Sequence, residues 1–263
     1  MAGRRRALVT GGSQRVGRAM VLDLAANGWD IAIHFNGSAE AATATATECR
    51  ELGAAAVTLQ SDLADHDAVE QLVPQAATRL GGALELLINN ASTFKNDEIG
   101  SISGASWMAG MDSNLRAPMM LTQSFAAQSP SAEMDANGEP VARAVVINII
   151  DQRVWKPTPF FVSYLVAKSG LLAFTRSAAQ ALAPNVRIAG IGPGPTLRAT
   201  RQSEDHYAQQ RRSCILGRGS DPEDIVSAMN FIISNKAFTG QMLAIDGGQH
   251  LIWQTPDVQG MIE

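Results

Sequence analysis

Residues 7–17 read Ala7-Leu8-Val9-Thr10-Gly11-Gly12-Ser13-Gln14-Arg15-Val16-Gly17, and the apolar stretch Ala19 to Ala26 follows almost at once. A short apolar run, a glycine-rich turn and an apolar helix in that order form a strand-turn-helix unit. Such a turn aims backbone N–H groups and a helix N-terminus at a pyrophosphate, and its glycines let the backbone come close. Gly11, Arg15, Val16 and Gly17 are therefore candidate nucleotide-binding residues. Taken alone the loop can also be read as a plain chain reversal, a reading that the strand-turn-helix context disfavours.

Six further short apolar runs recur: Asp30 to His34, Ala56 to Leu59, Leu84 to Asn89, Ala144 to Ile150, Val186 to Ile191 and Met242 to Ile245. Bounded by Gly, Pro and Asn, and separated by Ala-rich stretches long enough for crossover helices, they predict buried parallel strands. The expected fold is α/β, a Rossmann-type doubly wound seven-stranded parallel sheet. No linker, composition shift or repeat divides residues 1–263, so one domain is expected. Ser129 to Arg143, with Asn137-Gly138, is polar and predicts a surface excursion. The Arg-rich segment from Thr196 to Arg218 has no strong apolar period and follows a strand, where a substrate lid would lie.

Composition narrows the function classes. Of 263 residues, 46% are hydrophobic and 17% charged, which suits a globular core. The formal net charge of -4 offers no cationic excess for phosphate backbones, which argues against a nucleic-acid partner. No apolar run approaches the roughly 18 residues of a membrane span, and the basic start Met1 to Arg6 precedes too few apolar residues for a signal sequence. The expected setting is cytoplasmic, with Cys49 and Cys214 as structural thiols. His34, His66, His206 and His250 are scattered, so no metal site is expected.

The second strand ends at His34-Phe35-Asn36, where an NAD enzyme usually places an acid for the ribose 2′-hydroxyl. A carboxylate there would repel a 2′-phosphate, so its absence points to NADPH, with His34, Asn36 and Ser38 as candidate hydrogen-bonding groups beside Phe35. Farther on, Tyr164 and Lys168 stand four residues apart at the start of an Ala- and Leu-rich helix, on one helical face. An ammonium near a phenol is expected to lower the phenol pKa and ready it for proton exchange. Tyr-x3-Lys alone is commonly just a helix surface.

In company these pieces resemble the short-chain dehydrogenase/reductase family from about Ala7 to Leu251. The order is the Thr10-Gly11 loop, Asp62-Leu63, Asn89-Asn90-Ala91-Ser92, Asn114, Tyr164 with Lys168, Pro193-Gly194 and Ile245-Asp246-Gly247-Gly248. The resemblance implies that Asp62 and Leu63 meet the adenine and that Asn90, Ala91 and Ser92 line the cofactor. It also implies that Asn114 holds a proton-relay water, that Pro193-Gly194 flank the nicotinamide, and that Tyr164 and Lys168 deliver a proton to a small-molecule substrate. A homotetramer built on long helices, here Leu165 to Leu182, is a further implication.

Departures from the common pattern sharpen the resemblance. Arg15 replaces a loop glycine, Asp151 replaces the catalytic Ser thirteen positions before the Tyr, Ser92 replaces a Gly, and Phe94 follows two residues later. All four are similar to the pteridine and dihydromonapterin reductases. That likeness implies a flat pterin or folate ring stacked on Phe94, contacted by Arg15 and Ser92, and reduced with protons from Asp151 through Tyr164. Phe94 also reads as a core residue, Arg15 as a phosphate contact, and Asp151 as a strand-end cap. Arg198, Arg201, Arg211 and Arg212 are either a solvated loop or contacts for a folate tail, and Trp253 to Glu263 is either a loose end or a cover for a neighbouring subunit. Gly37 stands where the pteridine reductases commonly carry an Arg for the 2′-phosphate. A ketone reductase and a noncatalytic NADP-binding protein are the competing functions.

Overall fold

The computed structural model describes residues 4–200 and 202–255. Its strands are β1 (Arg5–Val9), β2 (Trp29–Phe35), β3 (Ala56–Gln60), β4 (Leu86–Asn89), β5 (Glu133–Met134), β6 (Pro140–Val141), β7 (Ala144–Ile149), β8 (Val186–Pro193) and β9 (Met242–Ile245). The helices are α1 (Arg15–Ala26), α2 (Ala39–Glu51), α3 (His66–Arg79), α4 (Gly104–Met111), α5 (Ala117–Gln128), α6 (Val162–Leu182), α7 (Glu204–Arg212) and α8 (Pro222–Ser234). A π-helical turn, Asp112–Arg116, joins α4 to α5.

Seven strands form one parallel sheet in the order β3-β2-β1-β4-β7-β8-β9. The expected doubly wound sheet is what the chain builds. From β1 the order runs one way through β2 and β3, and from β4 it runs the other way, so a crevice opens at the carboxyl ends of β1 and β4.

Alternation along the strands feeds two cores. Ala7, Val9, Ile31, Ile33, Leu86 and Ile88 face one layer with Met20, Val21 and Leu24 of α1 and Met229 and Ile232 of α8. Leu8, Ala32 and Leu87 face the other, with Leu72 of α3, Leu121 and Phe125 of α5 and Ala178 of α6. Strands buried on both faces need apolar residues at every position, which is why they read as continuous runs. Each fully buried Leu or Ile contributes about 1.5–3 kcal/mol.

Two regions carry structure that the sequence pattern did not show. The excursion 129–143 lies at the surface, as expected, and closes as a small antiparallel hairpin, β5 with β6, turned by Gly138 at φ +78°. The Arg-rich segment contains a helix, α7, with no buried residue. Ser203 accepts the His206 N–H, Glu204 and Asp205 occupy the first turn and Arg211 and Arg212 the last, so charge and capping supply what an apolar stripe usually does. Cys49 and Cys214 are free and buried, and burial pushes the Cys49 thiol up to about 11. Among the described residues no helix is long and apolar enough to cross a membrane.

Candidate active site

The loop after β1 is built as an anion cradle. Gly11 has φ +59°, and a Cβ on Gly17 would lie 2.1 Å from the Gly11 carbonyl oxygen and 2.6 Å from Asn90 Nδ2, so only glycine fits. Asn90 Nδ2 donates to the Thr10 and Gly11 carbonyls (2.9 and 3.0 Å), while Thr10 Oγ1 accepts the N–H groups of Asn90 and Ala91. Asn90 and Ala91 thus fix the loop from the neighbouring strand. The first turn of α1 carries no acid, and Gln14 before it makes no side-chain cap, so its N–H groups suit a phosphate.

At the end of β2, Asn36 and Gly37 are exposed and Ser38 Oγ lies 2.9 Å from Ser13 Oγ, and no acid stands between Phe35 and Ser38 in the chain. His34 belongs to the scaffold, contrary to its expected place on the cofactor. It is 2% exposed; Nδ1 accepts the Gly11 N–H (3.1 Å), so Nε2 carries the proton and donates to the Ser61 carbonyl (3.0 Å). Burial lowers its pKa, keeping the ring neutral, and neither nitrogen is left for a ligand. Phe35 is likewise buried, and its carbonyl accepts the Ser61 N–H. Asp62 is exposed beyond β3, accepting the Ala64 N–H, with Leu63 buried beside it.

Across the crevice, α6 carries Tyr164 and Lys168, both buried. Asp151 follows β7: Oδ1 accepts the Arg153 N–H (2.7 Å) and Oδ2 accepts the Tyr164 hydroxyl (2.9 Å). It is at once a cap and the partner of the phenol. Burial raises the Asp151 pKa, against the Arg153 N–H and charge, the phenol and Lys168. Burial and then the Asp151 carboxylate hold the Tyr164 phenol well above its ordinary value. The expected lowering by Lys168 is therefore overturned. The ammonium is 5.6 Å from the ring centroid and donates to the Ile149 carbonyl (2.7 Å), whereas the carboxylate touches the hydroxyl itself. Burial pushes Lys168 down to about 8, with Asp151 opposing.

Asn114, fully buried in the π-helical turn, commits its side chain to the loop after β4. Its amide oxygen accepts from Ser92 Oγ and the Thr93 N–H (both 2.9 Å), and its nitrogen donates to the Thr93 carbonyl (2.8 Å). Its backbone and the second N–H of its amide remain for a relay role, at a kind of turn frequent in functional sites.

A cleft of about 550 Å³ lies beside the pair, lined by Asp151, Phe94, Phe161, Arg15, Val16, Pro193 and Gly194, with Leu197, Gln202, His206, Tyr207 and Gln210 from the segment that follows. Phe94 stacks on Phe161 (centroids 4.4 Å, 16°) and meets Tyr164 edge-on (4.6 Å), so it is a wall of the cleft and not core. Arg15, itself at φ +55°, crosses the cleft and donates to the Leu197 and Arg198 carbonyls (3.0 and 3.1 Å). Arg211 donates to the Pro195 and Ser220 carbonyls and pairs with Asp221, so it holds the base of the 196–218 segment and is not placed for a substrate tail. Arg198 and Arg212 are exposed; Arg201 lies outside the described residues, as does the tail beyond Thr255.

Sequence reasoning missed three residues. Asp97 clasps the start of α6: its carbonyl accepts the Phe161 N–H (2.7 Å), Oδ1 accepts the Ser163 N–H (3.1 Å) and Oδ2 accepts the Ser163 hydroxyl. Phe161 sits at φ +59°, and Arg153 lies with its guanidinium carbon 5.2 Å from the Phe161 centroid. The nearest available signal was Arg153's place two residues after Asp151.

A sheet of this order with a glycine cradle at the switch point and a buried Tyr-Lys-carboxylate group across it defines a nucleotide-dependent oxidoreductase of the short-chain type. A sequence model of the short chain dehydrogenase family matches residues 5–209, and the chain belongs to that family. It is similar to the structure of FolM alternative dihydrofolate reductase 1 from Brucella canis complexed with NADP, at 40% identity over 98% of each chain and TM-score 0.90. The Brucella suis FolM complex with NADP is 40% identical over 98% of this chain and 99% of that one, TM-score 0.89. The 3-oxoacyl-[acyl-carrier-protein] reductase FabG of Staphylococcus aureus is 27% identical over 93% of this chain and 98% of its own length.

Proposed function

We propose that this oxidoreductase uses NADPH to reduce a C=N bond of a pterin-like substrate, a dihydropterin or folate. The observation that carries this reading is the Asp151 carboxylate hydrogen-bonded to Tyr164 beside the Phe94 and Phe161 rings. A hydroxyl at position 151 would suit a carbonyl oxygen, whereas a carboxyl group suits a ring nitrogen that needs a full proton. The high phenol pKa fits the same direction, since a reductase needs a donor that keeps its proton. The likeness to the two FolM structures supports the reading independently.

When bound, NADPH supplies the hydride. Gly11 to Gly17 and the α1 N-terminus would hold its pyrophosphate, Ser13, Asn36 and Ser38 its 2′-phosphate, and Asp62 and Leu63 its adenine. Asn90, Ala91, Lys168, Pro193 and Gly194 would line the ribose and nicotinamide. Tyr164 gives its proton to the substrate, and Asp151 orients the phenol and returns a proton from solvent. Ser92, Phe94 and Arg15 border the ring, and residues 196–218 form the lid. The 27% likeness to FabG favours a second reading, reduction of a ketone, with Asp151 against it.

We also propose a cytoplasmic homotetramer. Exposed Met119 of α5 and Val166 of α6, with the groove lined by Met119, Phe174 and Leu182, offer apolar surface for a second copy. Light scattering tests the assembly. The activity is tested by NADPH oxidation with dihydrobiopterin, dihydrofolate and a panel of ketones; turnover of ketones alone would overturn the pterin reading.

A further inference from the structure

Arg153 stands in the cleft wall, where its backbone N–H and charge favour the ionised Asp151 but its side chain hydrogen-bonds neither Asp151 nor Tyr164. Its guanidinium is held at Nη1, which donates to Thr158 Oγ1 (2.7 Å), and it lies over the edge of the aromatic wall at Phe161. Ring contacts link Tyr164 to Phe94, Phe94 to Phe161 and Phe161 to Arg153. Its Nε is buried and has no hydrogen-bond partner among the described residues. Nε itself is closed off from a ligand, but Nη2 makes no hydrogen bond among the described residues, and a ligand in the cleft can supply its acceptor.

Neither neighbouring charge fills that need. Asp151 gives its oxygens to the Arg153 backbone N–H and to Tyr164. Arg15, the other guanidinium in the wall, is engaged with the Leu197 and Arg198 carbonyls. Among the described residues the cleft wall carries two guanidinium groups against one carboxylate, and of those two Arg153 is held by a single nitrogen. Phe94, Phe161, Thr158 and the half-exposed Phe160 line the same cleft as Arg153, so a long substituent on a ring seated against Phe94 shares its space with that guanidinium. A planar fork of donors there matches a carboxylate.

We infer that Arg153 is a specificity-determining residue that binds a carboxylate on an arm of the substrate, so that acidic-armed heterocycles are preferred over neutral-armed ones. The inference rests on the pterin reading. It is tested on the NADPH-saturated enzyme with dihydrofolate, whose arm ends in carboxylates, and dihydrobiopterin, whose arm is neutral. The quantity read is the ratio of kcat/KM for dihydrofolate to that for dihydrobiopterin. Arg153→Met should lower the ratio at least tenfold, mainly through the KM for dihydrofolate, and Arg153→Lys should recover part of it. A ratio within threefold of wild type in Arg153→Met overturns the inference, as does a wild-type enzyme that reduces dihydrobiopterin but not dihydrofolate. A wild-type enzyme that reduces neither pterin overturns the underlying reading, and is seen before any variant is made. If Arg153→Met no longer binds NADPH, the salt dependence of the wild-type enzyme decides instead. The KM for dihydrofolate should rise with salt while that for dihydrobiopterin stays flat, and a parallel response of the two overturns the inference.

Discussion

The two sides of the crevice are made in different ways. On the β1–β3 side the site is mostly backbone: glycines at fixed dihedral angles, an open helix N-terminus, and side chains such as Asn90 and His34 that brace the loop. On the β7–α6 side the site is mostly side chain. Phe94, Asp97, Asp151, Arg153, Phe161 and Tyr164 come from three separate stretches and meet within hydrogen-bond or ring-stacking distance. A backbone cradle serves any substrate that uses the same cofactor, whereas a side-chain cluster selects one. Damage to the first side should lower all reactions together, and damage to the second should separate substrates from one another.

The largest expected effect is on the side-chain side. Tyr164→Phe removes the proton donor and should lower kcat by about 10²–10⁴. NADPH binding, followed by fluorescence, should persist; loss of binding in step with loss of turnover would merge the two sides. Next comes the backbone side. Gly17→Ala places a Cβ 2.1 Å from the Gly11 carbonyl oxygen, and relieving that overlap costs about 1–3 kcal/mol. The Kd for NADPH should rise about tenfold or more, with equal losses for every substrate. Unequal losses would show that the cradle also reads the substrate.

A smaller effect concerns pH. Lys168 sits at about 8 and loses its charge as pH rises through that value, while the Tyr164 phenol keeps its proton there. An alkaline fall in kcat/KM near pH 8 therefore belongs to Lys168, and Lys168→Arg, which stays charged, should remove it. A fall that survives in Lys168→Arg would assign the limb elsewhere. The smallest effect is on stability: Asp97→Ala leaves the Ser163 N–H and hydroxyl buried without their acceptor, a loss of about 1–3 kcal/mol in urea unfolding.

The same contrast explains what was legible in the sequence. The loop at residues 10–17 and the seven apolar runs are local patterns whose meaning is fixed by backbone geometry, so the sheet could be read in advance. His34 was misplaced because sequence shows a hydrogen-bonding ring but not that both nitrogens are already used inside the scaffold. The phenol was expected to be acidified because Tyr164 and Lys168 share a helical face; the direction reverses because burial disfavours the phenolate, and because Asp151, thirteen residues away, touches the hydroxyl while the ammonium does not. Asp97 was invisible because its partner Ser163 is 66 residues away and no periodicity links them. The α7 helix was missed because capping and end charges hold it, with nothing apolar to count.

The proton route from Asp151 through Tyr164 to a ring nitrogen is tested most directly by Asp151→Ser, measured as NADPH oxidation with dihydrobiopterin and with a ketone panel beside wild type. Wild type should reduce the pterin, and the variant should lose this activity by about a hundredfold or more, with a smaller loss on any ketone. Pterin turnover within threefold of wild type in Asp151→Ser would contradict that route.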